Sequence, residues 1–245
     1  MKQGSYTIIE NTPLTDSVYK MRICGDTSAV TAPGQFINIR LNGYFLRRPI
    51  SVCDYDDAGI TILYKVLGHG TEYMTTLQPG DDLDVLTGLG NGFDLSPAGD
   101  APLLIGGGVG TPPMYRLCKD LTAGNKPVTV ILGFNSRAEI FYEKEFKALG
   151  AKVIITTADG SVGVRGFVTD AMKGLDYSYF FCCGPEAMLK AVWHTSATSG
   201  QLSFEERMGC GFGACMGCSC RTVTGYKRIC KDGPVLRKEE ILWDV

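Results

Sequence analysis

The chain has 245 residues, 44% of them apolar and 20% charged, with a net charge of −2. That length suffices for one large or two modest domains, and the composition is that of a soluble globular protein. No long basic run points to nucleic acid, no stretch reaches the apolar length that spans a bilayer, and Met1-Lys2-Gln3-Gly4-Ser5-Tyr6 does not read as a secretory signal. Ten cysteines without an export signal predict a reducing, cytoplasmic setting in which thiols are kept for metals or redox chemistry. The two histidines, His69 and His194, lie far apart, which disfavours a histidine-rich metal site or a Ser-His-Asp hydrolase. His69 is expected at a loop tip and His194 on a helix surface.

From residue 5 to about 96 the signal is all β. Short alternating runs at 6–10, 18–24, 35–41, 60–66 and 82–86 are separated by Pro33-Gly34, Asn42-Gly43, Asp57-Ala58-Gly59 and Pro79-Gly80. Six or so strands at this spacing predict a small antiparallel β-barrel. Near Pro97-Ala98-Gly99-Asp100 the pattern changes to strand–helix alternation. Strands are expected at 102–106, 128–133, 152–157, 178–183 and 201–206, with helices near 112–123, 140–149, 167–172 and 185–199. That is the pattern of a doubly wound parallel sheet. A cysteine-rich tail forms a third, smaller unit. The expected fold class is therefore multi-domain β plus α/β, with domains at 1–97, 98–206 and 207–245.

The chemistry is concentrated in three stretches. In the tail, Cys210, Cys215 and Cys218 run C-x4-C-x2-C, and Cys230 follows after eleven residues. This is the spacing by which plant-type ferredoxins hold a [2Fe–2S] cluster, with Gly209, Gly211, Gly213 and Gly217 leaving the loop free to turn its N–H groups inward. Zinc and disulfides are the competing readings; zinc more often takes paired C-x2-C knuckles, and only one such pair occurs here. Cys220 reads as a spare thiol. In the α/β region, an apolar strand runs through Gly106, Gly107, Gly108 and Gly110 into Thr111-Pro112-Pro113. A glycine turn opening a helix suits a pyrophosphate, although tight packing alone also explains such turns. Cys183-Gly184-Pro185 ends the fourth strand and falls beside that turn, because ligands of such sheets bind beyond the carboxyl ends of the strands. In the barrel, Arg47-Arg48-Pro49-Ile50-Ser51 offers a guanidinium fork for a diphosphate, or else an edge strand with two exposed arginines.

Together these pieces resemble the ferredoxin–NADP reductase superfamily. Arg48-Pro49-Ile50-Ser51 is similar to its R-x-Y-S flavin motif, with Ile50 in place of the stacking tyrosine, and Cys183-Gly184-Pro185 to its C-G-P element. Within it the chain resembles, over nearly its whole length, the family of electron transfer subunits of dihydroorotate dehydrogenase B. Leu89-Gly90-Asn91-Gly92-Phe93 and Ile229-Cys230-Lys231-Asp232-Gly233-Pro234-Val235 carry that closer likeness. The resemblance implies FAD contacts from Arg48, Pro49, Ile50, Ser51, Leu63, Tyr64, Lys65, Gly70 and Thr71, and cluster ligation by Cys210, Cys215, Cys218 and Cys230. Thr87-Gly88 departs from the family's Gly-Pro, and Asn135 stands where members often carry a basic residue, which bears on NAD against NADP.

The resemblance further implies a partner: an FMN-containing dihydroorotate dehydrogenase catalytic subunit, in a heterotetramer of two of each. Electrons would pass from that FMN through the [2Fe–2S] cluster and FAD to NAD, in pyrimidine biosynthesis. No catalytic acid or base is expected in this chain. The cysteine loop, with Met208, Phe212 and Met216 around it, is the expected docking face. Two other functions fit some of the same features: the flavin subunit of another NAD(P)H-linked ferredoxin or sulfide oxidoreductase, and a redox sensor that does not turn over nicotinamide.

Overall fold

The computed structural model describes residues 1–243. Six antiparallel strands close into a barrel: β1 (Lys2–Pro13), β2 (Val18–Cys24), β3 (Phe36–Arg40), β4 (Arg48–Asp56), β5 (Gly59–Lys65) and β6 (Asp82–Leu89), in the spatial order β1-β2-β5-β4-β3-β6. Turn chemistry sets the corners. Asp56 Oδ1 accepts from the N–H groups of Ala58 and Gly59 at 2.9 and 3.1 Å, and Gly80 takes the positive φ of +99° that its turn demands. Ile37, Ile39, Val52, Ile62 and Val85 point inward, and α1 (His69–Thr76) plugs the barrel with Met74. The Arg47–Ser51 stretch is not an edge, because a closed barrel has none. Arg47 is consumed by the fold: it bonds the Asp84 carboxylate at 3.0 and 3.1 Å and the carbonyls of Asn38 and Asp84 at 3.3 and 3.0 Å.

The second half is a sheet of order β10-β9-β8-β7-β11-β12, with a last strand from the tail beside β12. Its parallel strands are β7 (Pro102–Gly107), β8 (Thr129–Phe134), β9 (Lys152–Thr157), β10 (Val164–Arg165), β11 (Tyr179–Cys183) and β12 (Gly200–Ser203). Helices α2 (Thr111–Ala123) and α3 (Glu143–Ala148) pack one face with Leu117 and Phe146; α4 (Val168–Met172) and α5 (Glu186–Thr195) pack the other with Val168, Leu189 and Val192. The sheet is therefore doubly wound. Helix α3 is shorter than its apolar pattern predicts, since Tyr142 at φ +64° breaks the chain before it. Barrel and sheet share one apolar cluster, which unites Val18, Cys53 and Leu63 with Met114 and Leu117. Arg116 of α2 seals the seam. It reaches Asp54 at 3.3 Å and lies 3.9 Å from the centre of the Tyr55 ring.

The tail contributes a hairpin, β13 (Ser219–Thr222) with β14 (Gly225–Arg228), and then β15 (Val235–Arg237). The tail adds β15 antiparallel to β12, with Leu202 opposite Leu236. Asn91, between the barrel and the first parallel strand, fixes that return. Its N–H donates to the Gly233 carbonyl at 2.7 Å, its Nδ2 donates to the Val235 carbonyl at 2.8 Å, and its Oδ1 accepts from the Val235 N–H at 3.1 Å. The two motifs that carry the closer family likeness thus bond to each other. Asn91→Ala leaves both Val235 backbone groups unpaired and is expected to cost about 1–3 kcal/mol. Urea unfolding checks the magnitude, and faster amide exchange at residues 235–237 than at 201–203 checks the location.

Candidate functional site

The glycine turn after β7 and the end of β11 meet where the strand order reverses, with β8 on one side of β7 and β11 on the other. A cleft of about 510 Å3 opens there. Gly107, Gly108, Gly110, Gly184 and Pro185 line it, as the sequence predicts, together with Lys65 from the barrel. Gly106, Thr111 and Cys183 stand behind the wall. A Cβ on Gly106 would sit 2.9 Å from the Thr111 Cα, and one on Gly110 would run into the Cys183 carbonyl, so these glycines serve close packing. Gly108 differs: it holds φ +51°, with open space where a side chain would stand. Pro112 and Pro113 remove two of the first N–H donors of α2, so a phosphate must be met mainly by the turn itself. Thr111 Oγ1 and Thr156 Oγ1 are buried without a hydrogen-bond partner among the described residues, and Thr156 faces the cleft. An open glycine turn beside orphaned hydroxyls fits a polar dinucleotide. Burial pushes the Cys183 thiol up to about 12, so it is a neutral wall group.

On the barrel, the Arg48 guanidinium covers Gly70 so closely that a Cβ on Gly70 would strike it, and it lies 5.0 Å from the centre of the Tyr44 ring. Among the described residues it donates only to the nearby Leu46 carbonyl, which leaves donors of its fork for an anion at the start of α1. That arrangement fits a flavin diphosphate. Pro49, Ile50 and Ser51 follow on β4, all partly exposed. Three expected contacts have their side chains engaged elsewhere. Tyr64 turns into the barrel, 1% exposed, with its hydroxyl on Asn11 Oδ1 at 2.9 Å, so only its backbone faces outward. Leu63 is buried at the seam between barrel and sheet, and the Thr71 hydroxyl is occupied in capping the 67–68 turn.

The four expected cysteine ligands group two and two: the side chains of Cys210 and Cys215 contact each other, and so do those of Cys218 and Cys230. Although burial opposes it, the N–H groups of Phe212, Cys215 and Ala214 hold the Cys210 thiol down to about 6. Burial and the Cys218 side chain push Cys230 up to about 12. Pairs of sulfurs, with backbone N–H groups turned toward Cys210 at 3.2 and 3.5 Å, suit two irons better than one tetrahedral ion. All ten cysteines are unpaired by disulfides. Cys220 sits on β13 and lines a second cavity with Arg221 and Trp243. Around the loop, Phe212 and Met216 are 44% and 54% exposed, but Met208 is partly buried against the core and does not belong to an exposed patch.

Residues 205–242 match the iron–sulfur cluster binding domain of dihydroorotate dehydrogenase B, and residues 104–194 match the oxidoreductase NAD-binding domain. The chain is 44% identical to the dihydroorotate dehydrogenase B (NAD(+)) electron transfer subunit of Listeria monocytogenes serotype 4a, covering 98% of this chain and 99% of that one. The chain belongs to that family. The same subunit of Fusobacterium nucleatum is 40% identical with the same coverage. Among solved structures, the NADH-dependent reduced ferredoxin-NADP oxidoreductase studied for flavin-based electron bifurcation superposes with a TM-score of 0.88 at 29% identity, over 98% of this chain and 90% of that one. A ferredoxin NADP+ reductase from Neisseria gonorrhoeae with bound FAD and NADP shares the fold, with a TM-score of 0.69 at 19% identity over 80% and 90%. As a member of the dihydroorotate dehydrogenase B family, the chain is an oxidoreductase subunit that moves electrons to NAD+ in pyrimidine biosynthesis and works with a catalytic partner. The expected cofactor set of [2Fe–2S], FAD and NAD agrees with these matches. No helix among the described residues is long and apolar enough to cross a membrane.

Sequence reasoning missed Glu139, which lines the cleft beyond β8. Asn135, the apparent departure, donates to both Glu139 carboxylate oxygens at 3.0 and 2.9 Å and so orients them. An acid some thirty residues past a glycine turn was the available signal, but in a polar loop it looks like any solvated residue. It also missed Glu205, exposed at the cleft's open edge yet crowded enough for desolvation to raise its carboxyl pKa. The packing at the turn yields one test. Gly110→Ala forces backbone against backbone at Cys183 and is expected to destabilise the chain by about 1–3 kcal/mol in urea unfolding. NADH binding, followed by fluorescence titration, should weaken with it.

Proposed function

We propose that the chain links an FMN-containing dihydroorotate dehydrogenase catalytic subunit to NAD, in a cytoplasmic heterotetramer of two of each. Cys210, Cys215, Cys218 and Cys230 hold the [2Fe–2S] cluster; Arg48 and the start of α1 at Gly70 and Thr71 hold the FAD diphosphate, with Pro49, Ile50 and Ser51 along its ring and the 63–65 backbone beside it. Gly107, Gly108, Gly110, Gly184 and Pro185 hold the dinucleotide, backed by Gly106, Thr111 and Cys183. When bound, the cluster supplies one-electron exchange, the nicotinamide two-electron hydride exchange, and the flavin both. The observation that carries this reading is the pairing of four sulfurs, two and two, on the same molecule as an arginine-capped glycine at a barrel rim and a glycine-lined cleft.

The residues of the chain provide positioning and charge. Backbone N–H groups turned toward Cys210 lower the pKa of its thiol and so favour the thiolate, the form that binds iron. Lys65 reaches the cleft from the barrel and carries positive charge to the region between flavin and nicotinamide. Glu139 accepts hydrogen bonds from a ribose and repels a phosphate in the same place, which favours NAD over NADP.

Two measurements test this. Glu139→Gln keeps the shape but removes the charge, and should lower the ratio of kcat/KM for NADH over NADPH by about tenfold or more, the worth of one charged hydrogen bond of about 1.5–3 kcal/mol. An unchanged ratio would place the ribose elsewhere. The purified chain should also reduce an artificial acceptor with NADH, and should drive dihydroorotate-dependent NAD+ reduction only after the FMN subunit is added. Serine at Cys210, Cys215, Cys218 or Cys230 should abolish the second activity and the iron and sulfide content while sparing the first. Cys220→Ser should spare all three. Iron lost from Cys220→Ser, or stoichiometric zinc without sulfide in the wild type, contradicts the assignment.

A further inference from the structure

Strand β3 stands between the two proposed redox sites of this chain. On one side it pairs with β4, the strand of the flavin motif: Asn38 lies opposite Pro49 and Phe36 opposite Ser51. Ile37 and Ile39 alternate into the barrel, so Phe36 and Asn38 face outward, toward the cysteine segment. Phe36 joins the apolar cluster that contains Cys218 and Cys230. Asn38, 1% exposed, donates from Nδ2 to the Cys210 carbonyl at 3.3 Å.

Three features show that this contact is built for the loop. First, Asn38 Oδ1 is buried and has no partner among the described residues, so the bond to Cys210 is what orients the amide. The opposite orientation of the amide would set oxygen against the Cys210 carbonyl, which only a donor relieves. Second, the loop is cut to fit the amide. Gly211 holds φ +78°, and a Cβ there would run into Asn38 Nδ2. Third, the backbone of Asn38 is itself braced, because Arg47 donates to its carbonyl at 3.3 Å while gripping Asp84. A rigid strand therefore presents one amide to the residue whose sulfur leads the cysteine loop.

We infer that Asn38 is a positioning residue, which holds the Cys210 loop in register with the flavin strand and so sets both the surroundings of the Cys210 sulfur and the speed of electron exchange between cluster and flavin. The inference rests on the cofactor assignment proposed above. Hydrogen bonds around ligand cysteines tune the potential and spectrum of a cluster. Electron exchange falls steeply with separation, so a loop released from β3 by even a small distance slows it. Nothing in this role touches the nicotinamide cleft.

The test uses the complete chain with both cofactors, in the wild type, Asn38→Leu and Asn38→Ala. Leucine keeps the volume and removes the donor; alanine guards against overpacking. Iron, sulfide and FAD are measured first, and wild-type protein without iron and sulfide would overturn the cofactor assignment and not this inference alone. The expected result is normal FAD content and normal NADH-to-dye reduction. The electron paramagnetic resonance g-values or midpoint potential of the reduced cluster should shift, and cluster bleaching by NADH in stopped flow should slow by about 10- to 100-fold. Selective loss of the cluster with FAD and dye reduction retained supports the same role. An unaltered resonance spectrum and bleaching rate at full cluster content in either variant would overturn it. So would joint loss of FAD and fold in both, which would make Asn38 an ordinary barrel residue.

Discussion

The arrangement of this protein depends on the hydrogen bonds made by one asparagine. Asn91 spends its N–H and both ends of its side-chain amide on the backbone of Gly233 and Val235, roughly a hundred and forty residues away. A tail of this size has little core of its own, and its hairpin, β13 with β14, would be marginal in isolation. Bonding its return strand to the barrel's exit and pairing β15 with β12 gives the cysteine loops a rigid base. Without that base the four sulfurs would belong to a flexible peptide, and the entropy of ordering them would fall on the metal alone.

Polar anchoring recurs wherever two parts of the molecule meet. Asn38 ties the barrel to the cysteine loop, Arg116 and Lys119 tie β4 to α2 through Asp54, and Asn91 ties barrel to tail. These groups lie within or beside apolar clusters, so each bond has few waters to compete with and fixes direction as well as distance. For an electron carrier this matters more than stability. The rates depend on separations between sites that sit on different elements, and apolar contact alone would allow those elements to slide.

The nicotinamide cleft uses charge sparingly. Its floor is glycine, its wall carries the buried Thr156 hydroxyl with the neutral Cys183 thiol behind it, and Glu139, Lys65 and Glu205 supply charge at separate points around it. Asn135 holds the Glu139 carboxylate, so a neutral side chain fixes the direction of the acid that lines the cleft.

Much of this was legible in the sequence where a signal is local. The strands at 18–24 and 152–157 coincide with the observed elements, because regular apolar patterns bounded by turn residues have one good solution. The cysteine spacing was legible too, since a loop that wraps a cluster must space its sulfurs along the chain. Other features were decided only by the tertiary structure. Residues 59–64 are all buried, with Ile60, Ile62 and Tyr64 in the barrel core and Leu63 in the cluster shared with the sheet. The alternating run at 60–66 therefore did not mark which face was to be buried where. Strand β4 begins with an arginine and a proline and carries a register shift, which masks its period. The pairing of β15 with β12, the meeting of Asn91 with Val235, and the contact of Asn38 with Cys210 join residues far apart in the chain. Such contacts leave no periodic trace in the sequence, because each needs only one side chain of the right length at one point of a folded surface.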